Sequence, residues 1–174
     1  MNFEILPERR EDAALIDPLL DRTFGLDRQQ RTVYRLRENL SPLPGLSFVA
    51  VDGTGTLLAS IRYWPIAIEA QPAILLGPLA VEPRLQGQGI GKSLVRFTLN
   101  EARRLGHRLC VVVGEPGYYR PFGFVNAGEA GLILPGPVAP ERFQVAALAL
   151  GALDGVQGLI GRAPDAAPLL AGNQ

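Results

Sequence analysis

Residues 79–94 have the sequence LAVEPRLQGQGIGKSL, which is the most informative segment of the chain for predicting its fold. It predicts a short apolar strand, a glycine-rich turn and a helix whose apolar pattern begins at Ile90. Gly87, Gly89 and Gly91 alternate, so the turn carries few side chains and its backbone can approach a ligand closely. The N–H groups of the first helical turn have no partners within the helix and carry the positive end of its dipole. The stretch is therefore predicted to bind phosphate.

Phosphate loops of three kinds differ in the spacing of their glycines. The Walker A pattern, G-x-x-x-x-G-K-[ST], accepts Gly91-Lys92-Ser93 but requires a glycine where this chain has Gln86. The dinucleotide pattern, G-x-G-x-x-G, meets Lys92 or Leu94 in place of its last glycine. A third pattern, Q/R-x-x-G-x-G/A, is met in full by residues 86–91, QGQGIG. This third pattern is the acyl-CoA pyrophosphate loop of the GNAT superfamily of N-acetyltransferases, which the chain resembles.

A second motif strengthens the resemblance. Residues 118–124, YYRPFGF, match the Tyr-x-x-x-Gly-Phe element of many GNAT proteins at Tyr119, Gly123 and Phe124. One predicted helix and one predicted strand separate the two motifs, as in the family. The glycine loop alone would also fit a turn that binds no ligand, but two motifs in the right order are more specific. Over roughly residues 3–150 the chain is similar to small, predicted bacterial GNAT acetyltransferases.

The resemblance implies an α/β (α+β) fold that is built on a mixed sheet. This is the GNAT acyl-CoA N-acyltransferase fold, with about seven twisted strands and helices on both faces. The predicted GNAT acetyltransferase domain covers residues 1–154. A C-terminal tail over residues 155–174, rich in Gly, Ala and Pro, is expected to pack loosely.

Local patterns predict the principal elements around the glycine loop. Asp52-Gly53 between apolar runs indicates a hairpin, so the first four strands are expected to be antiparallel. The continuous apolar run Leu109–Val113 predicts a buried strand parallel to residues 73–81. A helix over residues 90–105 is expected to bury Ile90, Leu94, Thr98, Ala102 and Leu105.

Two further helices are predicted near the N-terminus, over residues 11–24 and 28–39. One interpretation is a lid over the acceptor site. Two packed helices with solvated charged faces are the equally simple alternative. Asp17-Pro18 is expected to kink or restart the first of these helices.

Composition limits the function classes. The chain has 174 residues, 47% of them hydrophobic and 20% charged, and its formal net charge is zero. Neither nucleic-acid binding nor a membrane-surface role is therefore expected. No run of about 18 apolar residues predicts a membrane span, and the N-terminus lacks the apolar core of a signal peptide. The single cysteine, Cys110, fits a reducing compartment, so a cytoplasmic protein is predicted. A homodimer is compatible with these features.

The resemblance implies a set of site residues. Acetyl-CoA is the expected cosubstrate, and no metal is expected. Main-chain groups of the strand before the loop would pair with the pantetheine arm, provided that this strand splays from its parallel neighbour, and an N–H near Val81 would stabilise the oxyanion. Tyr119 matches the general acid of the family. The predicted acetyl-CoA contacts are Leu79, Ala80, Val81, Gln86, Gly87, Gln88, Gly89, Ile90, Gly91, Lys92, Ser93 and Tyr119.

The general base is the weakest part of this assignment. A primary amine with a pKa near 10 is only about one part in a thousand neutral at pH 7, so a group or a water chain must accept its proton. Several family members carry a glutamate on the fourth strand, whereas residues 73–81 contain no acid. Glu115 is the best available candidate, with a strand-end acid in a turn as the alternative. His107, the only histidine, is expected to begin a strand at the surface.

These observations favour one function over two others. The predicted function is acetyl-CoA-dependent transfer of an acetyl group to the primary amine of a small molecule, an amino acid, an antibiotic or a peptide N-terminus. The missing strand acid supports an alternative, a non-catalytic sensor of acyl-CoA with the same fold. A nucleotide hydrolase that uses Gly91-Lys92-Ser93 is disfavoured because Gln86 replaces the required glycine.

Overall fold

The computed structural model describes residues 2–26, 28 and 32–163. Its strands and helices alternate along the chain with short connections. The elements are β1 (Glu4–Pro7), α1 (Ala13–Phe24), α2 (Thr32–Arg35), β2 (Phe48–Val51), β3 (Leu57–Ile68), β4 (Gln71–Val81), α3 (Ile90–Arg104), β5 (Leu109–Val113), α4 (Pro116–Tyr119), β6 (Val125–Asn126), β7 (Leu132–Ile133), β8 (Phe143–Ala147) and β9 (Gly158–Arg162).

One mixed sheet organises the chain, with the strand order β1-β2-β3-β4-β5-β8-β6. The first four strands are antiparallel neighbours, and β5 lies parallel to β4. Both predictions are confirmed, and so is the mixed α/β fold. The described part of the chain has nine strands rather than about seven, because β6 and β7 are only two residues long and β9 falls in the predicted tail.

The two faces of the sheet are covered by different helices. In β2, Val49 packs with Ile16 and Leu19 of α1, while its neighbour Ala50 belongs to the core that contains Leu94 of α3. Successive residues of a strand point to opposite faces, so α1 and α3 lie on opposite sides of the sheet. This arrangement places the end of α1 and the start of α3 on either side of β4.

The Asp-Gly hairpin is held by one carboxylate. Oδ1 of Asp52 accepts hydrogen bonds from the main-chain N–H groups of Thr54 and Thr56, at 2.9 and 3.0 Å. The Thr54 hydroxyl donates to the same oxygen at 2.7 Å. An aspartate that bonds to backbone groups two and four residues later stabilises the turn, which confirms the hairpin predicted at Asp52-Gly53.

Helix α3 confirms its predicted start at Ile90 but corrects its predicted end. Leu94 and Thr98 are fully buried, whereas Leu105 is 46% exposed. The helix ends at Arg104, Leu105 is its C-cap, and the left-handed φ of 90° at Gly106 directs the chain away, so the helical face that reaches the core stops short of Leu105.

Two other expectations, both about the N-terminal helices, need adjustment. Helix α1 continues through Pro18 without restarting. The predicted helix over residues 28–39 is helical at Thr32–Arg35 and forms a turn over residues 36–39, and residues 29–31 lie outside the described part.

The predicted loose packing after Gly155 does not hold for β9, which pairs with β3 and with β7. The pairing uses main-chain groups, which the composition of this segment does not reveal. Residues 164–174 of the predicted tail lie outside the described part, and the domain boundary itself stays a prediction. Within the described residues, no helix combines the length and the apolar character needed to cross a bilayer.

Candidate active site

Strands β4 and β5 are joined over only a short distance. They pair at Ile74 with Cys110 and at Leu75 with Val111, and beyond these positions they separate. The strand edges then border one cavity of about 880 Å³, which we call the main cavity. Its walls include residues 76–79 of β4 and residues 112–114 at the end of β5. The predicted splay between these strands is therefore present.

A bulge in β4 marks the point of separation. Ile61 of β3 pairs with Leu79 and Tyr63 pairs with Leu76, so β4 has one more residue than β3 between these positions, at Gly77-Pro78. The indole N–H of Trp64 donates to the carbonyl oxygen of Gly77. This contact holds the bulge from the β3 side. Both aromatic residues of β3, Tyr63 and Trp64, are buried, and Trp64 also borders a smaller cavity.

The glycine loop forms one end of the main cavity. Gly87 and Gly89 have φ values of 83° and 90°, in the left-handed region that favours glycine. Gly89 is also the N-cap of α3, whose first N–H groups therefore open towards the loop. A fifteen-residue helix that begins at such a loop provides a site for a phosphate group.

Side chains anchor the segment that leads from β4 into the loop. The Gln86 amide donates to the carbonyl oxygen of Val81 at 3.3 Å. Nε and Nη2 of Arg22, in the last turn of α1, donate to both carboxylate oxygens of Glu82 at 3.2 and 2.9 Å. The loop is therefore tied to β4 by one contact and to α1 by the other.

Most of the residues predicted to contact acetyl-CoA border the main cavity. They are Leu79, Val81, Gln86, Gly87, Gln88, Gly89, Ile90, Gly91, Lys92 and Tyr119, and the predicted base Glu115 borders it as well. The main cavity does not include Ala80 or Ser93. Ala80 is fully buried in the cluster beneath α1, and the Ser93 N–H donates to the Gly89 carbonyl. The role of each residue stays a prediction.

Two tyrosines of α4 line the main cavity, and sequence reasoning singled out only one. Tyr119 is 8% exposed and its ring packs edge-to-face with Phe124 and against Gly114. Tyr118 is partly buried and lies over the first turn of α3, where its hydroxyl approaches Gly91. Burial raises the pKa of both phenols, so both remain protonated at neutral pH. The doubled tyrosine was the only signal for Tyr118.

Glu115 lies at the rim of the main cavity, and its carboxylate already has a partner. Its carboxylate forms an ion pair with Nη1 of Arg142, and its side chain is 73% exposed. Its carbonyl oxygen accepts a hydrogen bond from the Tyr119 N–H and so begins α4. His107 does not border the main cavity, and burial lowers its pKa.

The N-terminal helices close the remaining side of the main cavity. Phe24 of α1, together with Val33 and Tyr34 of α2 and the following Arg37, lines it. Tyr34 and Arg37 also border a side cavity of about 330 Å³, with Trp64 and Pro78. These helices thus border the main cavity, and their role as a lid over the acceptor stays a prediction. In the described part of the chain, no group of three or more His, Cys, Asp or Glu side chains is arranged to hold a metal ion.

Comparison with known sequences identifies the family. The sequence model of the acetyltransferase (GNAT) family matches residues 14–124. The N-acetyltransferase YhbS of Escherichia coli K12, itself uncharacterized, is 35% identical over 151 residues, which are 86% of this chain and 89% of that protein. The uncharacterized N-acetyltransferase YjhQ of the same strain is 32% identical over 137 residues, 76% of each chain.

Solved structures agree with the sequence comparison. The crystal structure of E. coli YhbS in complex with CoA has a TM-score of 0.82 and 32% identity, covering 94% of this chain and 91% of that one. A GNAT family acetyltransferase from Brucella melitensis in complex with acetyl-CoA has a TM-score of 0.69 and 31% identity, covering 94% and 97%. The matched family model, these relatives and the splayed strands together show that the chain belongs to the GNAT family of acetyltransferases.

Proposed function

We propose that this chain transfers the acetyl group of acetyl-CoA directly to a primary amine. One observation carries the proposal: a single cavity joins the glycine loop at the start of α3 to the open edges of β4 and β5. The related YhbS and Brucella structures, solved with CoA and acetyl-CoA, support the choice of cosubstrate. The amine belongs to a small molecule, an amino acid, an antibiotic or a peptide N-terminus.

The residues present fit acetyl-CoA at two places. At the loop, N–H groups of the first turn of α3 and the ammonium group of Lys92 would hold the pyrophosphate. Along the gap, main-chain groups of β4 near Leu79 and Val81 would pair with the amides of the pantetheine arm. A ligand with a charged end and an amide-bearing arm satisfies both regions at once.

Bound acetyl-CoA supplies an activated thioester. A main-chain N–H of residues 79–81 that points into the gap would polarise its carbonyl, as oxyanion donors do. Tyr119 would give a proton to the departing thiolate. The Tyr119 phenol is protonated at neutral pH, as an acid in this step must be, and burial raises its pKa further, which makes the proton harder to release. Tyr118, on the same wall, is the second candidate for this role.

Glu115 remains the proposed proton acceptor for the amine. In the structure the Arg142 guanidinium occupies its carboxylate, so the amine has to displace or share that contact. Water at the open rim provides the other route for the proton. We also propose a cytoplasmic location, which the single buried Cys110 supports, and a possible homodimer is retained as a prediction.

Calorimetric titration with acetyl-CoA, CoA and magnesium-ATP tests the proposal. We expect micromolar binding of acetyl-CoA and CoA and no signal with magnesium-ATP. A thiol-release assay over a panel of primary amines then measures turnover. Absence of acetyl-CoA binding would refute the proposal, and tight binding without turnover of any amine would indicate the sensor instead.

A further inference from the structure

A buried amide side chain lies beside the end of β5. Gln144 of β8 is 3% exposed and stands opposite Val112 of β5 in the sheet. Residues opposite each other in an antiparallel pair point to the same face, and Val112 belongs to the core that also contains Tyr119. The Gln144 amide is therefore buried on the face of the sheet that carries α4. An amide withdrawn from water requires hydrogen-bond partners.

The partners of Gln144 lie where the ladder between β5 and β8 ends. The Gly114 N–H donates to the Arg142 carbonyl oxygen at 2.9 Å, as in a regular antiparallel pair. A regular pair would return a bond from the Arg142 N–H to the Gly114 carbonyl, but that N–H donates to the Ala139 carbonyl at 2.9 Å instead. Nε2 of Gln144 supplies the missing donor to the Gly114 carbonyl oxygen at 3.0 Å. The side chain thus replaces a main-chain bond of the ladder.

Gly114 directly precedes α4, so its peptide group sets the direction of this helix. Glu115 is the N-cap of α4, and its carbonyl oxygen accepts hydrogen bonds from the N–H groups of Tyr118 and Tyr119, at 3.1 and 3.2 Å. A helix of four residues has too few internal bonds to hold its own direction. The peptide between Gly114 and Glu115 therefore determines where the helix points, and Gln144 holds that peptide by its carbonyl oxygen.

The Tyr119 ring rests on the same glycine. A Cβ on Gly114 would lie 2.5 Å from Cε2 of Tyr119 and 3.1 Å from its Cδ2. Phe124 packs edge-to-face against the ring, with the two centroids 5.6 Å apart. Both contacts are made by the ring, so the position of the hydroxyl group follows that of the Gly114 backbone.

An ion pair also reaches this segment, but it is exposed to water. Arg142 pairs with the carboxylate of Glu115, whose side chain is 73% exposed. Exposed pairs of this kind contribute little to holding a structure in place. The hydrogen bond from Gln144 lies in the interior, where the lower dielectric constant strengthens it. The buried amide is therefore the firmer of the two anchors.

We infer that Gln144 is a positioning residue for Tyr119: its amide holds Gly114 so that the Tyr119 hydroxyl meets the departing thiolate. The inference rests on the proposed function and adds a residue to the same site. In this step the bond between the carbonyl carbon and sulfur breaks, the sulfur takes the phenolic proton, and the phenolate regains a proton from water. Gln144 acts only on geometry, and a displacement of about 1 Å can lower a rate about 100-fold.

Gln144→Leu tests the inference because it removes the donor and keeps a similar volume. We expect kcat to fall about tenfold or more in a thiol-release assay, and calorimetry to show an unchanged affinity for acetyl-CoA. Asn126→Leu is the matched control. Asn126 lies in the neighbouring strand β6, and its amide donates to the Pro140 carbonyl oxygen at 3.1 Å. This variant loses a comparable bond and should retain the wild-type kcat.

A double-mutant cycle separates positioning from general damage to the fold. In Tyr119→Phe the proton donor is absent, so Gln144→Leu should cause little further loss of kcat in that background. A purely structural role would produce the same fold-loss with and without the Tyr119 hydroxyl. The size of the second loss therefore shows whether Gln144 acts through Tyr119.

A spectroscopic measurement reports the position of the ring without turnover. 3-Fluorotyrosine replaces the four tyrosines of the chain, and Tyr119→Phe identifies the ¹⁹F resonance of residue 119. Gln144→Leu should shift or broaden this resonance, and Asn126→Leu should leave it unchanged. If Gln144→Leu does not fold, Gln144→Met takes its place, since it has an unbranched side chain of similar length and no donor.

Two results would overturn the inference while the proposed function stands. One is a wild-type kcat, or an unchanged resonance of residue 119, in the folded Gln144→Leu protein. The other is a loss of kcat that is equally large in the Tyr119→Phe background. Failure of the wild type to bind acetyl-CoA would instead refute the proposed function, and the ¹⁹F spectra would still show whether Gln144 holds Tyr119.

Discussion

The hydroxyl oxygen of Tyr118 lies 2.5 Å from the position that a Cβ on Gly91 would occupy. Gly91 has an ordinary helical backbone, so it is required for space rather than for conformation. Gly87 and Gly89 show the opposite pattern, because a Cβ there would contact nothing within 4 Å but their φ values are left-handed. The alternating glycines of the loop therefore serve two different purposes.

Gly91→Ala should displace Tyr118. We expect a loss of about 1–3 kcal/mol in the free energy of unfolding relative to Gly117→Ala, a typical cost of overpacking. Gly117 is the control because an added Cβ there meets nothing within 4 Å. Urea denaturation measures both variants. Adding Tyr118→Phe removes the clashing oxygen and should recover part of the loss, and no recovery would show that the contact does not matter.

Gly89→Glu should abolish CoA binding. The new carboxylate would stand where the pyrophosphate is expected and repel it. Gly89→Ala carries the same backbone strain without the charge, so the difference between the two variants isolates the electrostatic effect. Calorimetric titration with CoA gives both affinities. A folded Gly89→Glu protein with wild-type affinity would contradict the loop assignment.

Tyr119→Phe should lower kcat about 100-fold and leave the affinity for acetyl-CoA unchanged, since a general acid acts only in the reaction. Tyr118→Phe is the matched control. Because burial raises the pKa of Tyr119, its proton stays in place above the usual pKa of about 10. At pH values up to about 10, the wild-type kcat should therefore not decrease through loss of this proton. A larger effect in Tyr118→Phe would transfer the role to its neighbour.

Glu115→Gln should lower kcat about tenfold to 100-fold if the carboxylate accepts the proton of the amine. The acetyl-CoA affinity is expected to stay the same. Glu129→Gln, which changes an exposed carboxylate away from the main cavity, provides the control. Unchanged steady-state kinetics in Glu115→Gln would leave water as the proton acceptor.

Thr98→Val should destabilise the core by about 1–3 kcal/mol. The Thr98 hydroxyl donates to the Leu94 carbonyl at 2.7 Å and lies 2.6 Å from the Tyr63 hydroxyl, which is fully buried. Removing the threonine oxygen leaves that phenol without its acceptor, whereas Tyr63→Phe leaves Thr98 bonded. Thermal or urea unfolding should therefore show the larger loss for Thr98→Val, and equal losses would contradict this account.

Strands and helices whose ends are marked by neighbouring turn residues were predictable from the sequence. The bounds of β5 agree with its predicted range, because an apolar run flanked by turn residues marks both ends. The start of α3 follows from the glycine loop. Leu105 was predicted wrongly because an apolar period continues past the residue at which the helix stops, and β9 was missed because its pairing partner is far away in sequence.

The family resemblance, the glycine loop at the start of α3, the antiparallel first four strands and the parallel β5 could be read from the sequence, since motifs, turn residues and apolar runs mark them. The bulge at Gly77, the contact of Tyr118 with Gly91 and the pairing of Glu115 with Arg142 appear only in the folded chain. These features join segments far apart in the chain. Long-range packing brings them together, and no local pattern of residues records that packing.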